Sequence, residues 1–279
     1  MTAATPATAG GALRLAVVGK GGAGKSTVSA TIARTIARRG RRVLVLDHDS
    51  APGLSMSLGL QGADEPLLNA AMQQGEDRRY RFLDGLDPVG AAQRFAIDGP
   101  DGIRVLQVGK NSHAGGDAVQ ASVNAFYTIA GQLEHAPEFS DWAILGDLPA
   151  GGRQPACGWT PYARHYLLVV EATIQSMRTA RRITRIVDDI RPDARVSLVV
   201  SKAEGPADVD RVSEFLALPA FGVVPLDEDV RIAERAGVPA FEHAPHSAAV
   251  AAIVQMAEEL DGEAPDRGLL SPRTGGQPS

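Results

Sequence analysis

Nine consecutive residues constrain this chain more than any others. Gly19-Lys20-Gly21-Gly22-Ala23-Gly24-Lys25-Ser26-Thr27 follows the apolar run Leu13 to Val18. It leads into Lys25 to Arg39, where Val28, Ile32 and Ile36 recur every four residues with arginines on the other side, until Gly40 ends the pattern. A short apolar run reads as a buried strand and the four-residue recurrence as a helix, so the nine residues form a strand-to-helix loop of the G-x-x-x-x-G-K-[ST] type. Glycines are needed there because backbone N–H groups must approach phosphate oxygens more closely than a Cβ would allow. Lys25 is expected to bring positive charge to the β- and γ-phosphates. Ser26 offers a hydroxyl to Mg²⁺, and the helix N-terminus adds its own partial positive charge. Gly21, Gly22, Ala23, Gly24, Lys25, Ser26 and Thr27 are therefore the expected phosphate-binding residues.

The rest of the chain repeats the same alternation. Arg42 to Asp47, Ile103 to Val108, Trp142 to Gly146, Tyr166 to Val170, Val196 to Val200 and Phe221 to Val224 are short apolar runs. Most are apolar at both parities, as strands buried on two faces should be. Helical patterns fall between them at 119–133, 174–190, 207–216, 229–235 and 247–260. The expected fold is α/β: a single doubly wound, mainly parallel sheet of about seven strands with helices on both faces. Residues 61–101 carry mixed charge, several glycines and little periodicity, and are expected to be a variable insertion with one or two short helices. Residues 1–12 and 262–279 are poor in large apolar side chains and read as disordered tails around a single domain at 13–261.

Composition narrows the function classes. A net charge of −5 argues against a dedicated nucleic-acid binder. The single cysteine, Cys157, excludes an internal disulfide framework and any all-cysteine metal site within one chain. No segment reads as a signal peptide or membrane helix, and the compartment is expected to be cytoplasmic.

Lys20 gives the loop a sharper character. A lysine opening a K-G-G-x-G-K-[ST] loop resembles the deviant Walker A motif of the ParA/MinD superfamily of ATPases. That superfamily includes partitioning and septum-placement ATPases, the nitrogenase iron protein, and accessory ATPases that insert metals into enzymes such as carbon monoxide dehydrogenase. The resemblance implies that Lys20 reaches the phosphates of ATP held by a partner subunit, so that the protein is a homodimer when ATP is bound. Asp47-His48-Asp49-Ser50 is similar to the family's switch I, with Asp49 in the place of the carboxylate that orients the attacking water and Ser50 in the place of the usual proline. Asp147-Leu148-Pro149-Ala150-Gly151 is similar to switch II, which implies that Asp147 holds Mg²⁺ through a water and that the Gly151 N–H senses the γ-phosphate. Ser201-Lys202 stands where relatives have Asn-Lys or Asn-Arg, whose amide contacts adenine. Val224, Pro225 and Asp227 belong to a stretch similar to the one that walls the base pocket. The resemblance covers about 13–60 and 103–260, and implies Mg²⁺ and ATP as cofactors, with Lys20, Lys25 and Asp49 catalytic.

Absences separate the branches. The segment Ile103 to Lys110 with Gly115-Gly116 is similar to one that precedes a Cys-x-Cys pair in nickel-inserting relatives, but Asp117-Ala118-Val119-Gln120 follows here. Ala150 stands where the nitrogenase iron protein has a cluster cysteine, and a shared four-iron cluster needs two cysteines from each chain. Cys157 would have to pair across a dimer axis, with His165 or His113, to hold zinc. The last helix is acidic, unlike a membrane-targeting basic amphipathic helix. Arg178, Arg181, Arg182 and Arg185 share one broad helical face, which reads either as a surface for nonspecific DNA or as a solvated face paired with Asp188 and Asp189. The expected function is an ATP-hydrolysing dimeric switch serving an unidentified client or activator protein, with metalloenzyme or complex maturation ranked first. A DNA- or cargo-positioning ATPase ranks second, and a small-molecule ligase of the dethiobiotin synthetase type, which shares this fold and a similar loop, third. A regulatory binding module with negligible hydrolysis is the fourth.

Overall fold

In the computed structural model, residues 12–50, 53–61, 67–109 and 116–262 are described. Seven strands stand close to where the apolar runs place them: β1 (Arg14–Gly19), β2 (Val43–Asp47), β6 (Arg104–Gln107), β7 (Ala143–Asp147), β8 (His165–Val170), β9 (Arg195–Ala203) and β10 (Ala220–Pro225). An eighth, β5 (Ile97–Asp98), joins them, and the sheet order is β10-β9-β8-β1-β7-β2-β6-β5. Seven strands run parallel and only β5 is antiparallel, pairing with β6 through Ile97 and Val105. The expected mainly parallel sheet of about seven strands is thus present, with β5 added at its edge. Two residues are too short to show any periodicity, so β5 exists only because β6 offers it an open edge.

The helices are α1 (Lys25–Arg38), α2 (Gly53–Ser57), α3 (Pro88–Phe95), α4 (Gly116–Gln132), α5 (Arg153–Ala156), α6 (Ile174–Ile190), α7 (Pro206–Leu216), α8 (Glu228–Ala236), α9 (Ala240–His243) and α10 (Ala248–Gly262). Strand alternation sorts the core into two layers. Leu15, Val17, Val43, Val45, Leu145 and Val169 face α1 and α10. Ala16, Val18, Leu44, Leu46, Leu168 and Val170 face α3, α4, α6 and α7. β1, β2, β7 and β8 are buried along their full length, which explains why they lack a polar parity.

Local chemistry sets the ends of these helices. The Asp87 side chain accepts from the Gly90 N–H ahead of Pro88, the Thr173 hydroxyl accepts from the Ser176 N–H, and Gly237 ends α8 in the left-handed region at φ 67°. α6 buries Met177, Ala180, Ile183 and Val187, a single stripe at helical spacing. Residues 61–101 hold α3 and a 3₁₀ turn at Leu67–Ala71, as expected, but also the hairpin of β3 (Met72–Gln74) and β4 (Tyr80–Phe82). Its strands are three residues each and carry glutamine and arginine, so the sequence shows no alternation to read. No helix among the described residues is long and apolar enough to cross a membrane.

Candidate functional site

The nine-residue loop joins β1 to α1 at the carboxyl ends of the parallel strands, where open α/β sheets bind ligands. Gly22 and Gly24 have φ of 81° and 87°, in the left-handed region that side chains disfavour, so the loop's curvature depends on glycine at both positions. Lys25 is buried, and its ammonium donates to the Lys20 carbonyl at 3.2 Å. Burial lowers its pKa, while Asp147 and Asp49 oppose that shift. Among the described residues, no hydrogen bond or ion pair engages the ammonium of Lys20.

Two buried carboxylates face each other across the β2–β7 ladder, where Asp47 pairs in register with Asp147. The Ser26 hydroxyl donates to Asp147 Oδ2 at 2.7 Å and the Ser29 hydroxyl to Oδ1 at 2.9 Å. Asp47 Oδ1 accepts from the Asp49 N–H at 3.2 Å and Oδ2 from the Ser55 hydroxyl at 3.1 Å, while Gln107 donates to Ser55. Burial, then the neighbouring Asp147 charge, pushes Asp47 up to about 8, and burial pushes Asp147 up to about 6 against the pull of Ser26 and Lys25. Two acidic side chains side by side at the ends of β2 and β7, one of them bonded by the Ser26 hydroxyl of the phosphate loop, form an oxygen donor set suited to a hard divalent cation such as Mg²⁺. Ser29 stands one turn beyond Ser26, a spacing that could have revealed it. Ser55 and Gln107 carried no local signal, since Gln107 meets the site only through strand register with Asp47.

The segment after β7 is tied to both the loop and switch I. The Gly151 N–H donates to the Gly19 carbonyl at 3.0 Å. Gly151 is thus turned toward the phosphate loop itself, an arrangement the sequence did not suggest. The Gln154 amide donates to the Tyr127 hydroxyl at 2.6 Å and to the His48 carbonyl at 3.3 Å, and His48 Nε2 bonds the Tyr162 hydroxyl at 2.9 Å. His48, between Asp47 and Asp49 in the chain, is buried against the Phe126, Tyr127 and Tyr162 rings, and burial lowers its pKa to about 3. It is therefore a neutral structural group linking the acid-bearing loops.

On the other side of the phosphate loop lies an open cleft lined by Gly24, Thr27, Ser201, Val224, Pro225 and Asp227. The four expected base-pocket residues thus meet the loop. Asp227 contributes as a wall: its carboxylate accepts from the Asp229, Val230 and Ala249 N–H groups at 3.0–3.3 Å, capping α8 and pinning α10. Lys202 and Glu234 also line this cleft, and Thr27 donates to Glu234 at 3.3 Å. Glu234 had no motif to mark it.

Other candidates are dispersed. Cys157 is exposed at the end of α5, whereas His165 is buried at the start of β8 and bonded to Ser197 at 2.8 Å, which removes it as a zinc partner for an exposed thiol. His113 and the segment 110–115 lie outside the described residues. No group of three or more His, Cys, Asp or Glu among the described residues could hold a metal. On α6, Arg181 lies over the Phe215 ring at 3.7 Å, and among the described residues no ion pair joins Arg178, Arg182 or Arg185 to Asp188 or Asp189.

Residues 15–240 match the family described as the CobQ/CobB/MinD/ParA nucleotide binding domain. The carbon monoxide dehydrogenase accessory protein CooC of Rhodospirillum rubrum is 26% identical over 247 residues, covering 84% of this chain and 91% of that protein. The solved structure of the Pyrococcus furiosus cell division ATPase MinD superposes with a TM-score of 0.64 at 23% identity, covering 89% of this chain and 98% of that one. The septum site-determining protein MinD of Pyrococcus horikoshii, solved with Mg-ADP, gives 0.60 at 20% identity over 89% and 95%. With the loop, the paired aspartates and the parallel sheet in place, the chain belongs to the CobQ/CobB/MinD/ParA nucleotide-binding family, a family of P-loop ATPases whose usual cofactors are ATP and Mg²⁺.

Proposed function

We propose that this chain is a Mg²⁺-dependent, ATP-hydrolysing dimeric switch that serves the maturation of a client metalloenzyme or protein complex. The observation that carries the reading is the 3.0 Å bond from the Gly151 N–H to the Gly19 carbonyl. A γ-phosphate that accepts from Gly151 must take that N–H from Gly19, so ATP opposes the contact and ADP does not. Switch II then has two arrangements, and Gln154 transmits the choice to the His48 carbonyl in switch I.

Each residue has a part in that reading. The loop N–H groups from Gly21 to Thr27 hold the phosphates, and Lys25 moves from the Lys20 carbonyl to the β- and γ-oxygens. Ser26 and Asp147 would hold Mg²⁺, with Asp47 behind them; when bound, the cation supplies charge against the developing negative oxygens. Asp49 orients the attacking water, and Lys20 stabilises the transition state on the partner's nucleotide. Ser201, Val224, Pro225 and Asp227 wall the base. The client class is supported by the likeness to an accessory protein of carbon monoxide dehydrogenase, matched over nearly its whole length.

The test is the mass of Asp49→Ala, chosen to slow hydrolysis, measured by light scattering with and without Mg-ATP. A shift from monomer to dimer is expected. A mass indifferent to bound ATP would sink the switch and favour a constitutive oligomer, a ligase or a binding module.

One observation favours a second reading, the positioning of DNA or cargo: Arg178, Arg182 and Arg185 are exposed on α6, with no ion pair among the described residues. Salt-sensitive binding of nonspecific duplex DNA in Mg-ATP would support it.

A further inference from the structure

β9 and β10 lose register at their carboxyl ends: Val224 pairs with Ser201, but Pro225 pairs with Ala203, so Lys202 is passed over. Lys202 stands at φ 54°, in the left-handed region that a non-glycine residue occupies only when its surroundings impose it. A bulge of this kind bends the strand and re-aims a side chain. Here the Lys202 ammonium donates to the Gly22 carbonyl of the phosphate loop at 2.6 Å and lies 3.2 Å from Glu171 Oε1. Glu171 directly follows β8, and its own N–H donates to the Ser176 hydroxyl at 3.0 Å. Lys202 also lines the cleft beside Gly24 and Ser201.

The consequence follows from peptide geometry. The Gly22 carbonyl and the Ala23 N–H share one planar peptide and point in opposite directions. A cation that holds the carbonyl toward Lys202 therefore holds the N–H on the opposite side, where it donates to the Lys20 carbonyl at 3.3 Å. The same cation offsets the carbonyl's partial negative charge beside the place where phosphates must arrive.

We propose that Lys202, braced by Glu171, is a positioning residue for the phosphate loop and a wall of the nucleoside cleft, so that nucleotide affinity depends on its ammonium. The left-handed backbone is the strain accepted to aim it. This rests on the nucleotide site described above, and its test separates the two.

Titration calorimetry of Mg-ADP into the full chain, with thermal melts of the nucleotide-free protein, would compare wild type with Lys202→Met, Lys202→Arg and Lys202→Gly. Loss of a charge-assisted bond to a partly exposed group is expected to weaken ADP roughly tenfold in Lys202→Met. Lys202→Arg should recover most of the affinity. Lys202→Gly should lose as much affinity as Lys202→Met while melting at or above wild type, because glycine removes the φ strain. A merely structural lysine would give the reverse, lower melting temperatures with unchanged ADP affinity, and that result overturns the proposal. Failure of wild type to bind ADP would overturn the nucleotide assignment, and this proposal with it.

Discussion

Gly146 is the fourth residue of β7, wholly enclosed between β1 and β2, and a methyl group there has nowhere to go. A Cβ built at Gly146 would lie 1.8 Å from the Tyr162 hydroxyl, 3.0 Å from its Cζ and 3.2 Å from His48 Nε2. Carbon contacts settle near about 3.5 Å, so the tyrosine would have to retreat by roughly 1.5 Å. Tyr162 is fully buried, and its retreat would break the bond to His48, which is itself 2% exposed. Overpacking of a close-packed core costs about 1–3 kcal/mol. A buried pair left unsatisfied costs about 1–3 kcal/mol more. Gly146→Ala is therefore expected to destabilise the chain by about 3–5 kcal/mol, a large part of the roughly 5–15 kcal/mol typical of a domain. Urea unfolding followed by circular dichroism measures this directly, and the melting temperature should fall by roughly 10 °C. Tyr162→Phe removes the atom at 1.8 Å, so adding it to Gly146→Ala should recover about half the loss, although alone it costs about 1 kcal/mol. A Gly146→Ala chain within 1 kcal/mol of wild type, or no recovery in the double variant, would refute the steric account.

Lys20→Ala should bind ATP with near wild-type affinity by calorimetry yet lose roughly 10²–10³ in turnover, the scale of removing one preorganised electrostatic contact; unchanged turnover would remove Lys20 from the chemistry. His48 is neutral in the fold, with a pKa lowered to about 3, but titrates near 6.5 when unfolded, so the unfolded state takes up the proton first and stability falls with pH below about 6.5, down to about 3. Measured in chelator without nucleotide, the advantage of wild type over His48→Gln should shrink by about 2 kcal/mol between pH 7.5 and pH 5, and parallel curves would contradict it. Asp47 and Asp147, raised by burial, act with the opposite sign in that window and cancel in the comparison. The Arg34 side chain is 3% exposed and bonded to Asp101 and Glu242 at 2.7 Å each. Arg34→Met should cost about 2–3 kcal/mol in guanidinium unfolding, below the figure for a fully buried pair because both acids are partly solvated, and a change under 0.5 kcal/mol would show that the pair is not structural.

Much of the site was legible because it is contiguous. The phosphate loop, the Asp47-His48-Asp49 run and the Asp147 to Gly152 turn each lie within a few residues at a strand end, so their residue types and spacing survive in the sequence. Ser29 was within reach of the same reading, one helical turn from Ser26. Glu234 reaches the cleft from α8, and Gln107 reaches Asp47 only through strand register, so no local pattern could mark them. Asp227 shows the opposite case: its place on the cleft wall was readable, but its employment as a helix cap was not. The α6 arginines were read against ion pairs with Asp188 and Asp189, and among the described residues no such pair forms.

Local sequence is enough to specify the alternation of strand and helix, the buried parallel sheet and the place of the phosphate loop, because hydrophobic period and glycine placement are local properties of the chain. It also contained Lys202, but only as the neighbour of Ser201, with no role of its own. Tertiary structure alone decided the strand order that inserts β7 between β1 and β2, the edge strand β5, and the pairing of Asp47 with Asp147 in register. It also decided that His48 is sealed against Tyr162 and that Lys202 turns back onto Gly22. Except at β5, those contacts join residues a hundred or more positions apart, and their energies come from burial and from hydrogen bonds that exist only once the sheet has assembled.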